Sequence, residues 1–420
     1  MTVERFLPRR RAAYRPGADT PAPYADAVRA GERIYLSAQS AAAPDGTVAA
    51  LGDATAQTDA ALDRLEAALA AAGGSLRDIT KLTTSIVDRG HRRDVYAAIS
   101  RRLPNVHPVS TGLVVGGLPA PELMVQIDAE ALSPPAGAAP VKRYRKYDLA
   151  DWHGQNFPWQ GCMVVAGSTE LFVRGQTGSY LDGRGTVGLG RRPEDAAAQA
   201  DLALANLTAL LGEAGSGLDD VAKITVYISD RAYRTAVYPM IGKHFRGIHP
   251  VSTGIIVQAF ARPEIMFEID VHTFPKAAGK PHLRVRKYQS KNARYGTEQQ
   301  PLDCDFCMAV RAGNRVVLRG QTGVDLDEVL RGRGDAVAQA EQAMDNVGVL
   351  LGEAGARLSD VVKATVFVTD RAYLAGVSDV VLRRLSGADP AFSASIVKGL
   401  ASPELLMEVD ITAVIADGSS

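Results

Sequence analysis

The stretch IHPVSTGIIVQAFARPEIMFEID, residues 248–270, decides the fold of this 420-residue chain because it occurs three times. An earlier copy reads VHPVSTGLVVGGLPAPELMVQID at residues 106–128, and a more divergent copy reads ADPAFSASIVKGLASPELLMEVD at residues 388–410. Three copies of one stretch indicate three copies of one structural unit. The chain is therefore expected to consist of three related units.

The copies keep a nearly constant spacing. Pro108 and Pro250 are 142 residues apart, and Pro250 and Pro390 are 140 residues apart. The same two intervals separate recurring lysines and glutamines, which are Lys81, Lys223 and Lys363, and Gln57, Gln199 and Gln339. The stretches SPPAGAAP and FPKAAGKP have the composition of linkers. Together these features predict domains at residues 1–133, 141–274 and 283–415.

Each unit presents its predicted elements in one order: a strand, a hairpin, a helix, a strand, a helix and two closing strands. In unit one, Leu62, Leu65 and Leu69 form the apolar stripe that is typical of a helix packed on a core. This order predicts an α+β fold in which two helices cover one face of a mixed sheet. The uncovered faces also need burial, so we expect the units to pack as a pseudo-threefold trimer within one chain.

Charge and composition exclude several classes of function. The chain has 47 Lys and Arg against 47 Asp and Glu, so its formal charge of zero does not favour nucleic acid or membrane binding. No apolar run reaches the roughly 18 residues of a membrane helix, and the first ten residues lack the apolar core of a secretory signal. Three cysteines, an odd number, favour a cytoplasmic location over a disulfide framework.

No metal site or cofactor is expected from the motifs present. Cys304 and Cys307 have CxxC spacing, but a zinc or redox site would need a second pair or nearby histidines, so buried thiols are the better interpretation. The sequence contains no P-loop, dinucleotide fingerprint or HExxH motif. We therefore expect a small-molecule ligand that is handled by side chains alone.

The segment QADLALANLTALLGEAGSGLDDVAKITV, residues 199–226, and the closing stretch ending in EID resemble the RidA (YjgF/YER057c/UK114) family. The resemblance extends over essentially all three units. It implies the chorismate-mutase-like fold, a trimeric assembly and a cleft between each pair of neighbouring units. In the family's active members, these clefts hydrolyse enamines and imines made by pyridoxal-phosphate enzymes, releasing ammonia and a 2-oxo acid.

The resemblance also places an arginine that holds the substrate carboxylate, but this chain has Ser110, Ser252 and Phe392 at that position. Arginines occur instead at the end of the hairpin, at Arg174 and Arg319, where the family usually has serine. A guanidinium there would grip a carboxylate from the opposite wall of the cleft. The alternative is that each arginine pairs with an acidic side chain of the neighbouring unit.

The candidate catalytic residues are Glu268 and Glu408, which match the glutamate that positions water in the family. Strand alternation places Glu268 on the same face as Asp270. Hydroxyls for binding the substrate or the water come from the four residues Ser110, Thr111, Ser252 and Thr253, and Tyr24 matches the family's hairpin tyrosine. Backbone-satisfied hydroxyls and a salt-bridged strand glutamate are the plainer alternatives.

Only unit two combines the arginine, the hydroxyl pair and the glutamate. We therefore expect a cleft walled by Ser252, Thr253 and Glu268, which Arg319 completes if unit three is the neighbour. A five-residue insertion in unit two, within residues 176–199, is either part of a site or a tolerated surface loop.

These residues favour a hydrolase or related acid–base catalyst acting on a carboxylated imine, enamine or comparable biosynthetic intermediate. A cyclase, dehydratase or isomerase would use the same groups, and a non-catalytic metabolite-binding module would use the same cleft. The ribonuclease activity ascribed to some family members finds little support in a neutral chain. The substrate, the active cleft and any further oligomerisation stay open at this stage.

Overall fold

The computed structural model describes residues 1–6, 24–43, 45–151, 156–276, 280–292, 294–295, 298–299 and 302–416. Three sheets, each covered on one face by two helices, follow one another along the chain and meet around a common pseudo-threefold axis. The α+β fold with three repeated units, predicted from the sequence, is confirmed.

The six helices occur in pairs, one pair to a unit. They are α1 (Ala54–Ala71), α2 (Arg92–Arg102), α3 (Pro193–Glu213), α4 (Arg234–His244), α5 (Ala336–Glu353) and α6 (Arg371–Arg384). The first helix of each pair packs its small and aliphatic residues on the sheet, as Leu62, Leu65 and Leu69 do in α1. None of the helices in the described ranges is both long and apolar enough to cross a membrane.

The strands of unit one are Val3–Phe6, Ala27–Ala30, Arg33–Leu36, Gln39–Ser40, Ile79–Ile86, Val109–Val114 and Val125–Leu132. Those of unit two are Lys142–Tyr144, Tyr147–Leu149, Trp159–Gly161, Val164–Ala166, Leu171–Val173, Gln176–Thr177, Val221–Ile228, Val251–Ile256, Ala259–Phe260 and Phe267–Thr273. Those of unit three are Leu283–Val285, Tyr288–Gln289, Arg294–Tyr295, Glu298–Gln299, Asp305–Phe306, Ala309–Ala312, Arg315–Leu318, Val361–Val368, Ala391–Ile396 and Met407–Val414.

In each unit, the closing strand lies between the hairpin and the first long strand. In unit two, Phe267–Thr273 pairs antiparallel with Val221–Ile228, which in turn pairs parallel with Val251–Ile256. The parallel pair requires a crossover connection, and α4 provides it. This arrangement puts the strand that carries Glu268 in the interior of the sheet, where its alternate side chains face the helices or the neighbouring unit.

The recurring glutamines fix the turn before the closing strand. The Gln199 side-chain amide donates to the carbonyl of Glu264 at 2.8 Å, and its oxygen accepts from the Met266 amide at 2.9 Å. Gln57 and Gln339 make the equivalent pairs of bonds in the other two units. Each glutamine is buried, so its two bonds satisfy backbone groups that water does not reach.

Three buried or half-buried ion pairs join the units in a cycle. Lys81 Nζ lies 2.8 Å from Asp270, Lys223 Nζ lies 2.6 Å from Asp410, and Lys363 Nζ lies 2.7 Å from Asp128. Unit one therefore binds unit two, unit two binds unit three, and unit three binds unit one. We call these three pairs the lysine–aspartate ring.

Backbone pairing across the seams follows the same threefold pattern. The strand Ala259–Phe260 of unit two extends the sheet of unit one by pairing with Leu113 and Val114. Isolated bridges link Gly117 with Ile396, and Ile256 with Gly399, at the other two seams. Each unit thus completes the sheet edge of a neighbour.

The pseudo-threefold axis passes between unlike residues. At equivalent positions of the three hairpins stand Arg33, Glu170 and Arg315, all nearly inaccessible to solvent. Arg33 Nη1 lies 2.9 Å from the Glu170 carboxylate, and Arg315 Nε lies 3.9 Å from it. A carboxylate between two guanidinium groups balances charge at a place where three identical arginines would repel one another.

We expect Glu170→Gln to lower the free energy of unfolding by about 3 kcal/mol, because buried Arg315 loses the nearby carboxylate and buried Arg33 is left with Glu130 alone of its two acidic partners. Glu213→Gln is the matched control, since Glu213 pairs with Arg145 where both side chains are about two-fifths exposed, and it should cost at most about 1 kcal/mol. Thermal unfolding of both variants measures the difference. Equal melting temperatures would contradict the importance of the axial cluster.

Candidate active site

The three seams between units have different contents. We call the space between units one and two the first cleft, and the space between units two and three the second cleft. The contact between units three and one is called the closed seam. Each has one wall from the parallel strand and second helix of the preceding unit, and one wall from the hairpin and closing strand of the next.

The first cleft is a cavity of about 500 Å³. Ser110 and Gly112 from the parallel strand of unit one line one wall, and Arg174 and Glu268 of unit two line the other. The Gly175 amide donates to the Ser110 carbonyl at 3.3 Å, which holds the two walls in register. The volume lies in the range of ordinary small-molecule sites.

The Glu268 carboxyl sits on the face of the closing strand that meets unit one. The neighbouring residues Phe267 and Ile269 point into the core under the helices of unit two, as alternation predicts. The carboxyl packs directly against Gly175, where an added Cβ would lie 2.0 Å from Oε1. The absence of a side chain at Gly175 thus lets the Glu268 carboxyl lie close to the hairpin backbone of its own unit.

Burial raises the pKa of Glu268 to about 8, and the adjacent charge of Asp270 acts in the same direction. The Arg174 guanidinium and Lys81 lower this pKa, but by less than burial raises it. Only 6% of Glu268 is exposed. At neutral pH its resting form is consequently the protonated acid, which is able to give up a proton rather than take one.

The Arg174 guanidinium lies over the ring of Tyr147, 5.8 Å from its centroid, and its Nη1 is 3.9 Å from the sulfur of Met163. The side chain is half-buried and lines the cavity. Its surroundings are thus aromatic and apolar on the protein side, with its charge directed toward the cavity that also holds Glu268. This placement is what a carboxylate anchor requires.

The second cleft repeats the same groups in register but is nearly filled. Burial and Asp410 raise the pKa of Glu408 to about 8, and Arg319 lies 5.4 Å from the ring centroid of Tyr288. Leu302 and Phe306 pack into the space, so that a cavity of only about 30 Å³ is left among the described residues. That volume holds little more than water.

The closed seam has lost the polar groups of the other two. Ser37 and Gln126 stand where the arginine and glutamate would be, and Phe392 takes the position of Ser110. The Ser37 hydroxyl donates to the Ala25 carbonyl at 2.5 Å and accepts from the Phe392 amide at 2.7 Å. Backbone contacts therefore occupy the Ser37 hydroxyl.

The family model described as "Endoribonuclease L-PSP" matches the chain three times, at residues 16–133, 163–274 and 298–415. The chain belongs to this family. The three matches together cover most of the sequence, and they fall on the three sheets described above. The resemblance to the RidA and YjgF proteins, drawn from the sequence, is confirmed.

Individual relatives of this L-PSP-family chain align with a part of it. Protein DfrA of Myxococcus xanthus is 40% identical over 82 residues, which are 20% of this chain and 63% of that protein. The 2-iminobutanoate/2-iminopropanoate deaminase of Mus musculus is 29% identical over 113 residues, which are 27% of this chain and 82% of the deaminase.

One solved structure matches the L-PSP-family chain over most of its length. A chorismatase crystal structure covers 80% of this chain and 93% of its own, with a TM-score of 0.52 and 17% sequence identity. At that identity the match shows a shared fold. Three units in one chain are therefore an arrangement that this fold family supports.

The predicted hydroxyl residues divide into two groups. Ser110 and Ser252 line the first and second clefts. Thr111 and Thr253 do not, because their hydroxyls donate to Asp270 and Asp410 of the lysine–aspartate ring, at 2.7 and 2.5 Å. The expectation that these two threonines bind substrate is corrected, since both are committed to holding the units together.

The sequence predicted the wrong grouping of residues in the clefts. Glu268 does not share a wall with Ser252 and Thr253, and Arg319 does not face it. Arg319 and Glu408 of unit three meet Ser252 of unit two in the second cleft, and Arg174 and Glu268 of unit two meet Ser110 of unit one in the first. Two seams of this L-PSP-family chain therefore carry the arginine, the serine and the glutamate, where the sequence suggested one.

Tyr24 does not belong to a cleft. It is 6% exposed and packs on Phe392 within the closed seam, with 5.6 Å between ring centroids. The prediction that Tyr24 binds substrate is corrected, because Phe392 occupies the space that a substrate would need. Among the described residues, the tyrosines that line the first cleft are Tyr96, Tyr147 and Tyr180, and those that line the second are Tyr238 and Tyr288.

Sequence reasoning missed Arg92 and Tyr96, which α2 directs into the first cleft. Gly112 makes room for the phenol, since an added Cβ there would lie 2.3 Å from the Tyr96 hydroxyl. Arg234, Tyr238 and Gly254 form the same group in the second cleft. A comparison of the three copies of the second helix would have found this pair, because unit three lacks it.

The five-residue insertion of unit two borders the first cleft. Ser179 to Gly183 contribute to its lining, and Arg262 donates to the hydroxyls of Ser179 and Thr186 at 2.7 and 2.6 Å. Arg184 stacks on the Tyr180 ring at 3.8 Å. The sequence left open whether the insertion is part of a site or a tolerated surface loop, and this placement agrees with the first interpretation.

The three cysteines of this L-PSP-family chain are free and buried, as expected for hairpin thiols. Burial raises the pKa of Cys162, Cys304 and Cys307 to about 12, so the thiolates that metals and oxidants need are absent at neutral pH. Within the described residues, no three His, Cys, Asp or Glu side chains gather as a metal site would require.

We expect difference infrared spectroscopy to detect two protonated carboxyl groups, each of which loses its proton with a midpoint pH of about 8. Glu268→Gln should remove one of them and Glu408→Gln the other, because each glutamate is buried beside an aspartate. Midpoints at the ordinary glutamate value of about 4.3 would contradict the assignment of a protonated resting state.

Proposed function

We propose that this chain is a hydrolase that acts on a small carboxylated imine, enamine or related intermediate in the first cleft. The observation that carries the proposal is Glu268, a buried acid with its pKa raised to about 8, beside Arg174 in a cavity of about 500 Å³. A relative that is named a 2-iminobutanoate/2-iminopropanoate deaminase supports the reaction class. The chorismatase likeness supports an enzyme on this fold.

Arg174 would bind the carboxylate of the substrate and so place its C=N carbon near Glu268. In the acid form, Glu268 donates its proton to the imine nitrogen, or to the β-carbon of an enamine, and becomes a carboxylate. That carboxylate then takes a proton from the water that attacks the iminium carbon. The donors of the cleft wall stabilise the charge that moves during these steps.

Glu268 also transfers the protons that are needed for the breakdown of the resulting carbinolamine. Glu268 returns its proton to the nitrogen, ammonia leaves, and the hydroxyl proton passes back to the Glu268 carboxylate as the C=O bond forms. One water is consumed and one ammonia is released for each 2-oxo acid produced. The enzyme ends in the protonated form in which it began, so no other proton donor is required.

The first cleft is favoured over the second because of space. Both contain a glutamate with a raised pKa and an arginine, but the second retains only about 30 Å³. Chorismate, the compound from which chorismatase takes its name, belongs in the substrate panel together with 2-iminopropanoate generated in solution. The ribonuclease activity in the family description is not proposed, because the net charge is zero.

A cyclase, dehydratase or isomerase would use the same proton donor without consuming water, and product analysis separates it from a hydrolase. Incorporation of labelled oxygen from water into the product is expected for hydrolysis. A binding module would hold the same anions without turnover.

We expect Glu268→Gln to lower the turnover number by about 100- to 10,000-fold, because the amide has no acidic proton to donate. Melting temperature checks that the variant is folded. Glu408→Gln makes the same change in the second cleft and should lose far less activity. The opposite order of losses would move the reaction to the second cleft, and undiminished turnover in both would remove the glutamates from the mechanism.

The pH profile gives an independent test. Because the acid form of Glu268 starts the reaction, turnover should be high below about 8 and should fall as pH rises through that value. The decrease in turnover with pH should fit the titration of a single proton. A rate that instead rises with pH through this range would mean that a base starts the reaction.

A further inference from the structure

The second helix of units one and two carries a buried arginine and a tyrosine that the mechanism above does not use. Arg92 is 4% exposed and Arg234 is 9% exposed. Each lies over the ring of the tyrosine one turn further along its helix, at 5.8 Å for Tyr96 and 4.7 Å for Tyr238. Both arginines line their clefts.

The third unit shows that the fold does not need this pair. At the equivalent positions of α6 stand Leu374 and Ser378, and the helix packs on its sheet as the others do. Besides Phe392 at the position of Ser110, five positions around the closed seam differ from those of the first cleft. They are Leu374 for Arg92, Ser378 for Tyr96, Ala394 for Gly112, Ser37 for Arg174 and Gln126 for Glu268.

Arg92 and Tyr96, like Arg234 and Tyr238, occur at the two seams that keep the hairpin arginine and the closing-strand glutamate, and the pair is absent from the closed seam. If Arg92 and Tyr96 served only the packing of the helix, unit three would need them as well. The comparison is internal to one chain, so all three units share the same solvent and the same folding conditions. Arg92 is therefore assigned to ligand binding.

Among the described residues that line the first cleft, cationic side chains outnumber acidic ones. Arg145 pairs with Glu213 at 2.5 Å, Asp182 pairs with Arg184 at 3.4 Å, and Arg262 pairs with Glu264 at 3.2 Å. Arg92, Arg174 and the exposed Lys146 are the other cationic side chains that line the cavity, and Glu268 is the other acidic one. A cavity with this excess of positive charge favours an anionic occupant.

The two arginines stand on opposite sides of the cavity. Arg174 comes from the hairpin of unit two and Arg92 from α2 of unit one. Burial lowers the pKa of Arg92, and repulsion from Arg262 and Arg174 acts in the same direction, so an anion between the two walls would relieve that repulsion. Tyr147, Leu149 and Leu181 contribute apolar surface to the lining of the same cavity. This arrangement suits a carbon skeleton with an acid group at each end.

We propose that the first cleft selects a substrate with two acid groups, one bound by Arg174 and the other by Arg92, which makes Arg92 the residue that determines specificity. The inference rests on the proposed use of the first cleft, but it does not depend on hydrolysis. It narrows the substrate class from carboxylated compounds in general to small dicarboxylates and related dianions.

Calorimetric titration of the full chain with matched pairs of acids tests the inference. Isophthalate should bind at least about tenfold more tightly than benzoate, or glutarate more tightly than butyrate by the same factor, since a second charge-assisted bond adds about 1.4 kcal/mol or more. Arg92→Gln should abolish the preference by weakening only the dicarboxylates. Arg102→Gln, which removes an arginine from the exposed side of the same helix, should retain it.

Several outcomes would overturn the inference. One is that neither pair shows a preference for the dicarboxylate, and another is that Arg92→Gln weakens monocarboxylates as much as dicarboxylates. A loss of the preference in Arg234→Gln rather than in Arg92→Gln would place the binding in the second cleft. If Arg92→Gln does not fold, Arg92→Lys replaces it, and a partial loss of the preference is then expected because lysine keeps the charge without the fork.

The same titrations separate this inference from the proposed function. Glu268→Gln should keep the preference for dicarboxylates, because neither arginine is changed. A preserved preference without turnover of any substrate would defeat the hydrolase proposal alone. Turnover that depends on Glu268, with no preference between one and two acid groups, would defeat the two-anion inference alone.

Discussion

The lysine–aspartate ring is the constraint on which the rest of the structure depends. Each sheet has one face that its helices do not cover, and charged groups at the centre of that face bond to the neighbouring unit. Lys81 reaches Asp270, and the other two pairs repeat the contact around the axis. Because charges removed from solvent need their partners, the ring holds the three units together in the cyclic order one, two, three. The content of every cleft follows from that order.

The repeated stretch was sufficient to predict three units and an α+β fold, and alternation along its last strand correctly put Glu268 and Asp270 on the face that meets a neighbour. The repeated stretch could not predict the cyclic order of the units, because the sequence spacing is the same for either direction around the axis. Tyr24 was misjudged for a related reason: its surroundings include Phe392, from a unit more than 360 residues away. Arg92 was missed although its signal was present, because an arginine on a helix usually indicates a solvated face.

The three seams have diverged in a coordinated way. In the first cleft, the arginine on the hairpin, the acid on the closing strand and the pair on the second helix occur together around an open cavity. In the second, the same groups are retained but Phe306 and Leu302 fill the space. In the closed seam the groups have gone, and Tyr24 packs on Phe392 instead. The fold tolerates all three states because the ring and the backbone pairing are independent of the cleft residues.

The axial cluster of Arg33, Glu170 and Arg315 shows how fusion of the units changes the effect of a single mutation. In an assembly of identical subunits, a side chain at the axis always meets two copies of itself, so a single charged residue there is tripled and cannot find its complement. Covalent fusion removes that restriction, and one mutation then alters one position out of three. Such a chain is free to keep one ancestral pocket under selection while the remaining two drift, which separate genes for interchangeable subunits would not allow.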